Sequence, residues 1–188
     1  MLYHHPCGSR GRVDHVSGEK EIQKAYESLL GQHFQEAVEW FHKAIEQDPN
    51  NPEYHYKLSI TYARSSRLED AMRHGRTALQ LQPDKEEYAA HVKALQSRLY
   101  CQAAERMMEQ DERGNRLAIA CLREALRLNP LEERAYVLLA AANAQLEEYQ
   151  DAISSLQTLL EMDPHHETAQ TLYRKYKRLL ADYMEEKK

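Results

Sequence analysis

Glycine and proline are scarce in this chain of 188 residues, which contains only six of each. Three of the glycines and one of the prolines fall within the first 18 residues, so the rest of the chain has few residues that favour tight turns. β-Sandwiches and barrels need many such turns, and the composition therefore argues against them. Apolar residues make up 42% of the chain and charged residues 29%, which is typical of a water-soluble helical protein. We expect an all-α fold.

Cysteine, long apolar runs and excess positive charge are also lacking. The three cysteines, Cys7, Cys101 and Cys121, form no disulfide framework, and their odd number fits a reducing compartment. No stretch resembles a signal peptide or approaches the roughly 20 apolar residues of a membrane span. The net charge is -5, whereas binding to nucleic acid needs a basic face. We therefore expect a cytoplasmic protein without a membrane span or a nucleic-acid partner.

Four segments of the sequence align with one another without gaps. Each carries an alanine in the same column, namely Ala37, Ala71, Ala118 and Ala152. Twelve residues later each reaches a proline, and the intervals between these prolines are 34, 47 and 34 residues, for Pro49, Pro83, Pro130 and Pro164. Small residues at helical spacing allow a neighbouring helix to approach closely, and proline ends a helix because it lacks an N–H group. The pattern indicates four repeats that each contain an amphipathic helix.

A second helix precedes the aligned one, as in PEYHYKLSITYARSSRLEDA and ERAYVLLAAANAQLEEYQDA. Together the two helices resemble the tetratricopeptide repeat (TPR) family, whose unit is a helix–turn–helix of 34 residues. Phe41 fills the aromatic column of the second helix, where Leu122 and Leu156 stand in the later repeats. The resemblance covers about residues 18–188 and implies a solenoid of four helix–turn–helix repeats. Gly75 occupies a column that is usually large, so we expect a bulky neighbour to fill the gap.

The interval of 47 residues leaves 13 extra residues between the second and third repeats. Residues 84–112 contain no Gly or Pro, and apolar residues recur every three or four positions from Tyr88 to Met107. We interpret them as one continuous helix of about 29 residues, which closes the second repeat with its first half and begins the third with its second half. This interpretation divides the stack into two lobes, roughly 18–97 and 98–188. A regular superhelix from which one end of the helix projects is the alternative.

The predicted organisation has four parts. Residues 1–17 form a flexible tail, 18–97 hold the first two repeats with the first half of the long helix, 98–164 hold the last two repeats, and 165–188 form a terminal capping helix. A repeat stack needs a last helix that is apolar on one side and polar on the other. The basic residues of this helix fit its outer, solvated face: Arg174, Lys175, Lys177 and Arg178.

The resemblance implies that the first helices of the repeats line a concave groove that receives an extended peptide or a helix. Mapping by column gives a mainly apolar and aromatic surface, formed by Tyr26, Tyr56, Lys57, Ile60, Tyr100, Met107, Arg134, Val137 and Ala141. The alternative is that the long helix or the terminal helix covers these side chains. Repeats that bind chaperone tails clamp a carboxylate with Lys and Asn, but here the corresponding columns hold Ile22, Tyr26 and Lys57. The sequence thus favours an apolar ligand over a chaperone tail.

No catalytic motif is evident, so we expect no catalytic residues, no cofactor and no metal site in the repeats. The leading hypothesis is a non-enzymatic adaptor that binds another protein. A second hypothesis is a structural protein that self-associates through the long helix or the terminal helix. A third is metal handling by a cluster in the amino-terminal tail, whose members are of types that suit zinc or copper: His4, His5, Cys7 and His15. The spacing of this cluster matches no closed site, and a flexible tail is the simpler interpretation.

Overall fold

The computed structural model describes residues 18–186, and side-chain environments from 18 to 185. Within that part of the chain the regular structure consists of nine α-helices and no strand. Their bounds are α1 Glu19–Leu30, α2 Phe34–Gln47, α3 Pro52–Arg64, α4 Leu68–Leu81, α5 Glu86–Met108, α6 Glu112–Leu128, α7 Glu133–Gln145, α8 Tyr149–Met162 and α9 Glu167–Glu186. Each helix packs chiefly on the helices before and after it in the chain. This confirms the predicted all-α repeat solenoid.

The repeated alanines form the tight contacts between helices. Ala37, Ala71, Ala118 and Ala152 are all fully buried, as is Phe41. Gly75 is also buried, and a Cβ atom there would lie 3.4 Å from Leu95 Cδ1 and 3.5 Å from Val92 Cγ2. Both of these bulky neighbours belong to α5, and Ser59 Oγ of α3 is nearer still, at 3.0 Å. Side chains of α3 and α5 together therefore fill the space beside the glycine.

Three of the four turns within repeats have the same unusual backbone. Gln32, Ser66 and Glu147 follow α1, α3 and α7, and each has a positive φ of 59° or 60°. In each turn the next residue donates its backbone N–H to a carbonyl near the end of the preceding helix, for example Arg67 to Tyr62 at 2.9 Å. Such turns end a helix in the left-handed conformation that glycine adopts most easily. The sequence provides no glycine at these positions.

The turn between α5 and α6 is built differently. The Asp111 side chain accepts a hydrogen bond of 2.8 Å from the backbone N–H of Gly114, and it thereby caps the start of α6. A Cβ atom at Gly114 would lie only 2.2 Å from the carbonyl oxygen of Met107. The ends of the two helices therefore approach so closely that only glycine fits.

The long helix between the second and third repeats is shorter than the sequence indicated. α5 has 23 residues, from Glu86 to Met108, so the expectation of one helix over residues 84–112 was wrong at both ends. The chain turns before Asp111, because this residue caps a new helix instead of continuing the old one. α5 is ten residues longer than α3, and α6 is three residues longer than α4. These two additions account for the 13 extra residues.

The two halves of α5 belong to different hydrophobic clusters. Leu95 is buried with residues of α1 to α4, and Val92 and Leu99 pack against the same cluster. Cys101 and Ala104 are buried with residues of α6 and α7. One helix therefore contributes to the cores on both sides of the enlarged interval.

Trp40 lies on α2 and is the single tryptophan of the sequence. It is half-buried and packs against the amino-terminal cluster. The Nζ atoms of Lys24 and Lys43 lie 4.2 and 3.9 Å from the centre of its ring. At these distances both ammonium groups make cation–π contacts with the indole.

The last helix, α9, packs on α8 through a face that includes the buried residues Ala169 and Tyr176. Its basic residues, Arg174, Lys175, Lys177 and Arg178, are exposed. This is the arrangement of a terminal helix with one apolar and one solvated face. Among the described helices, none combines the length and the apolar character needed to cross a membrane.

Candidate functional site

A cavity of about 390 Å³ lies between α1 and α3. It is lined by two helix faces, Tyr26, Leu29 and Leu30 from α1 and Lys57, Ile60, Thr61 and Arg64 from α3. Residues three and four positions apart lie on one side of a helix, so each set of residues forms a continuous stripe. Three of the predicted partner-binding residues, Tyr26, Lys57 and Ile60, meet here. We call this cavity the α1–α3 groove.

Two apolar side chains of the groove are open to solvent. Tyr26 is 41% exposed and Leu30 is 87% exposed. The Tyr26 ring is held by an edge-on contact with Phe41, whose ring centre lies 6.1 Å away and which is fully buried. Ile60 is half-buried and forms the opposite wall. The groove therefore combines a rigid floor with an exposed apolar edge.

The charged groups of the α1–α3 groove are all cations. The Lys57 ammonium lies 3.1 Å from the Glu53 carboxylate. Burial lowers the pKa of Lys57, but the hydrogen bond and charge of Glu53 raise it, and the net shift is upward. Arg64 is exposed, and its side chain forms no hydrogen bond or ion pair with any described residue. As the structure describes this lining, it includes no carboxylate.

Tyr56, which the sequence places on the same surface, is covered by α5. It is only 7% exposed, and its hydroxyl donates a hydrogen bond of 2.9 Å to Glu87. The Tyr88 ring lies 4.7 Å from the Tyr56 ring, and the Tyr88 hydroxyl donates to Glu53 at 2.9 Å. Burial and the bond to Glu87 raise the pKa of Tyr56 to about 12, and burial with the bond to Glu53 raises the pKa of Tyr88. These crossed hydrogen bonds attach the start of α5 to α3.

The remaining predicted binding residues lie on α5 and α7, away from the α1–α3 groove. Tyr100 and Met107 are half-buried and pack against the cluster around Cys101. Arg134 is exposed, and its guanidinium donates three hydrogen bonds to Glu105, two of them at 2.6 and 2.7 Å.

Two further predicted residues complete the α7 part of the surface. Val137 packs against the cluster formed by α7, α8 and α9, and Ala141 is half-buried. Neither residue approaches the α1–α3 groove. The structure thus divides the predicted surface into a part that lines the α1–α3 groove and a part on α5 and α7 that lies outside it.

Four residues of the groove are absent from the set that the sequence predicted. Leu29 and Leu30 lie three and four positions after Tyr26, Thr61 lies four after Lys57, and Arg64 lies four after Ile60. Each is therefore about one helical turn beyond a predicted residue. Extending the predicted stripes by one turn would have found all four.

The two cysteines of the repeats pack against apolar side chains. Cys101 is fully buried, and burial raises the pKa of its thiol to about 12. Cys121 is half-buried, with its Sγ atom 3.9 Å from Met107 Sδ. A thiol with a raised pKa is a poor nucleophile.

Potential metal ligands do not converge in the part of the chain that the structure describes. Among residues 18–186, no group of three His, Cys, Asp or Glu side chains is arranged to hold a metal ion. The candidate cluster of the tail lies outside the described residues, and it comprises His4, His5, Cys7 and His15.

Models of known protein families match two parts of this chain. One family model, described as a TPR repeat, matches residues 30–66, and another, described as a tetratricopeptide repeat, matches residues 109–167. No curated protein sequence matches the chain significantly. Many solved structures share the fold.

Three of these structures illustrate the similarity. MamA 41-end from Desulfovibrio magneticus RS-1 is 17% identical with a TM-score of 0.52, over 90% of this chain and 94% of that one. A tetratricopeptide repeat protein from Parabacteroides merdae is 19% identical with a TM-score of 0.55, over 90% and 62%. A chain of the Cut9-Hcn1 hetero-tetramer of the APC/C is 16% identical with a TM-score of 0.53, over 85% and 30%. At these identities the similarity establishes the fold.

Proposed function

We propose that this chain, which belongs to the tetratricopeptide repeat family, is a non-enzymatic cytoplasmic adaptor that binds a segment of another protein in the α1–α3 groove. Repeats of this family support protein–protein interaction scaffolds in general. The finer assignment, to one groove and to a peptide segment, depends on the exposed side chains of α1 and α3.

The observation that carries the proposal is the exposure of Leu30 and Tyr26 beside the half-buried Ile60. Contiguous exposed apolar surface is uncommon on monomeric proteins and often marks an interaction site. Aromatic side chains held in place by neighbours are also frequent anchors of interfaces. Because Phe41 fixes the Tyr26 ring, a ligand would not have to order this side chain on binding.

The predicted residues on α5 and α7 form a proposed second part of the surface. A ligand that extends beyond the groove would meet Tyr100, Met107, Arg134, Val137 and Ala141. In this proposal Tyr56 supports the groove from behind, since α5 covers it. Self-association through α5 or α9 stays a separate prediction, which sedimentation of the purified chain over a range of concentrations would test.

The test is affinity capture from cell extract with the wild-type chain and with the double variant Tyr26→Ser, Leu30→Glu. The matched control is Leu131→Glu, because Leu131 is 73% exposed in the connection between α6 and α7, outside the groove. We expect the double variant to lose proteins that both the wild type and the control retain. Capture of the same proteins by all three chains would contradict the proposed groove.

A further inference from the structure

We propose that the exposed face of α6 docks on the exposed face of α2 in a second copy of this chain. Both faces lie outside the α1–α3 groove, so this contact is independent of the function proposed for the groove. The inference follows from three properties of the two helices: the opposite sign of their charges, the equal spacing of those charges, and an apolar side chain among the charges of each face.

The net charges of α2 and α6 are opposite. α2 is the second helix of the first repeat and contains three glutamates and one lysine, a net charge of -2. α6 is the second helix of the third repeat and contains four arginines and two glutamates, a net charge of +2. Surfaces of opposite charge attract each other and favour one pairing over others. A second copy of the chain therefore carries a surface that complements α6.

The cations of α6 that are available to a partner are Arg113 and Arg123. The other two arginines of this helix form ion pairs of 2.8 Å with its two glutamates. Arg113 and Arg123 are exposed, and neither guanidinium forms a hydrogen bond or an ion pair with a side chain between residues 18 and 185. Glu148 and Asp151 line a cavity together with Arg123, but neither pairs with it. A carboxylate from a partner would therefore replace no existing ion pair.

The carboxylates of α2 are Glu36, Glu39 and Glu46, and all three are exposed. Glu39 and Glu46 form no ion pair within the part of the chain that the structure describes. The Glu36 carboxylate lies 3.7 Å from His33 Nδ1, a contact that is an ion pair only when the histidine is protonated. The face of α2 is therefore open to cations from another molecule.

The two sets of charges have the same spacing. Glu36 and Glu46 are ten residues apart on α2, and Arg113 and Arg123 are ten residues apart on α6. Ten residues correspond to about 15 Å along a helix and to a rotation of about 80° around its axis. Both members of each pair therefore lie on one face. When the two helices lie side by side, both arginines come opposite a glutamate, whether the helices run in the same direction or in opposite directions.

An apolar side chain lies between the charges of each face. Leu117 is 51% exposed and follows Arg113 by one helical turn. Trp40 follows Glu36 by one turn, is half-buried, and borders a cavity of about 360 Å³ between α1 and α2. Contact between Leu117 and the surface beside Trp40 would remove apolar area from water and so stabilise the interface. We expect this contact to be the centre of the interface, with the ion pairs around it.

The proposed contact predicts a weak association that depends on salt. Each copy carries one face of each kind, so the contact can repeat from one copy to the next. Exposed ion pairs contribute little individually, and salt screens them. We therefore expect the mean mass in solution to rise with protein concentration and to fall when salt is added.

The first experiment is analytical ultracentrifugation of the full chain over a series of protein concentrations, at about 50 mM and about 500 mM NaCl. We expect association at the lower salt concentration that is reduced at the higher one. A chain that stays monomeric at its highest soluble concentration would overturn the inference, and so would association that is equally strong at both salt concentrations.

The second experiment exchanges the charges of the two faces. The first variant is Arg113→Glu with Arg123→Glu, and the second is Glu36→Arg with Glu46→Arg. Each variant alone has two faces of the same sign and should be monomeric. An equimolar mixture should associate, because each variant then meets a face of opposite sign in the other. A mixture of correctly folded variants, as judged by circular dichroism, that stays monomeric would overturn the pairing of α6 with α2.

Two control variants distinguish this contact from other effects. Arg174→Glu with Arg178→Glu changes the net charge by the same amount at exposed positions of α9, and it should associate as the wild type does. Leu117→Glu should abolish association, whereas Leu131→Glu, at a residue that is 73% exposed outside both faces, should not. Equal loss of association in the α9 variant, or equal association of the two leucine variants, would show that the faces of α2 and α6 are not the contact.

Discussion

The Nδ1 atoms of His55 and His74 lie 3.0 Å apart, so one ring donates a hydrogen bond to the other. His55 Nε2 lies 3.1 Å from the carbonyl oxygen of Pro49, which can only accept, so this nitrogen is the donor. A neutral His55 then accepts at Nδ1, and His74 donates from its own Nδ1. His74 also stacks on the ring of Tyr62. The Tyr62 hydroxyl in turn lies 2.8 Å from His42 Nε2.

This arrangement predicts a loss of stability in mild acid. Burial, followed by the neighbouring rings of His55 and His42, lowers the pKa of His74 from 6.5 to about 4. Burial also lowers the pKa of His42. Because the unfolded chain binds these protons at higher pH than the folded chain, the free energy of unfolding should fall as the pH drops below about 6.5 towards 4. Urea denaturation at a series of pH values between about 7.5 and 4.5 measures this decline.

The matched variants for this prediction are His74→Gln and His165→Gln. His165 is exposed, so its replacement should leave the pH dependence unchanged. His74→Gln removes one of the groups with a lowered pKa, and its stability should vary less between pH 6.5 and 5.5. Parallel curves for His74→Gln and the wild type would contradict the role assigned to His74.

The crossed tyrosine contacts predict a graded cost at Tyr88. Tyr88→Phe removes only the hydrogen bond to Glu53 and should lower the free energy of unfolding by about 1 kcal/mol. Tyr88→Ala also removes a ring that is 2% exposed, and it should cost about 3 to 5 kcal/mol. Tyr136→Phe is the control, because its hydroxyl bond to Pro130 is exposed. A cost for Tyr88→Phe no larger than that for Tyr136→Phe would show that the contact is not stabilising.

The close approach of α5 and α6 predicts that alanine is destabilising at Gly114 but not at Gly31, which lies after α1. Gly114→Ala would place a Cβ atom 2.2 Å from the Met107 carbonyl oxygen, so the backbone must shift, at a cost of about 1 to 3 kcal/mol. Gly31 has an ordinary φ of -77°, and its nearest neighbour is the exposed ring of His33. Gly31→Ala should therefore be nearly neutral. Thermal denaturation of the two variants distinguishes these outcomes.

The left-handed turns predict that the chain becomes more stable when glycine replaces a residue with positive φ. Gln32, Ser66 and Glu147 have positive φ, which costs a residue with a side chain about 1 kcal/mol or more. Each single change to glycine should raise the melting temperature. Ser65→Gly is the control, because Ser65 has a φ of -92°, where glycine adds entropy to the unfolded chain and removes the hydroxyl bonds to the Thr61 and Tyr62 carbonyls. This control should therefore lower the melting temperature. Equal melting temperatures for Ser66→Gly and Ser65→Gly would contradict the prediction.

The two-lobe organisation, with lobes near 18–97 and 98–188, stays a proposal that α5 allows us to test. Lys93 is exposed in the interior of α5, and Lys93→Pro breaks the helix at a cost of about 3 kcal/mol without removing a buried side chain. We expect hydrogen exchange to increase in both α4 and α6, since α5 packs on both. Lys93→Ala is the control. Increased exchange in α4 alone would show that the halves of α5 are independent.

The sequence predicted the repeat architecture because the architecture depends on small residues at fixed spacing. The alanine columns and the neighbours of Gly75 lie where the repeats require them. The predicted length of α5 was wrong because a segment without Gly and Pro can still contain a helix end. Asp111 ends the run by capping α6, and an aspartate within a charged segment is a weak signal.

The binding surface was only partly predictable for a different reason. A column assignment indicates which way a side chain points, but not what lies in front of it. The Tyr56 side chain projects from α3 on the predicted side, but Tyr88 and Glu87 of α5 cover this side chain. Tyr26 of α1 is 41% exposed, so no described helix covers it as α5 covers Tyr56.

The position of Trp40 makes it a local optical reporter of unfolding. It is the single tryptophan, and it lies in the first repeat between the ammonium groups of Lys24 and Lys43. Its fluorescence therefore follows the melting of α1 and α2, whereas circular dichroism follows all the helices together. In a repeat protein, stability is approximately a sum of units and their interfaces, so the ends can open before the middle. A difference between the two signals would thus measure how far the first repeat frays from the rest.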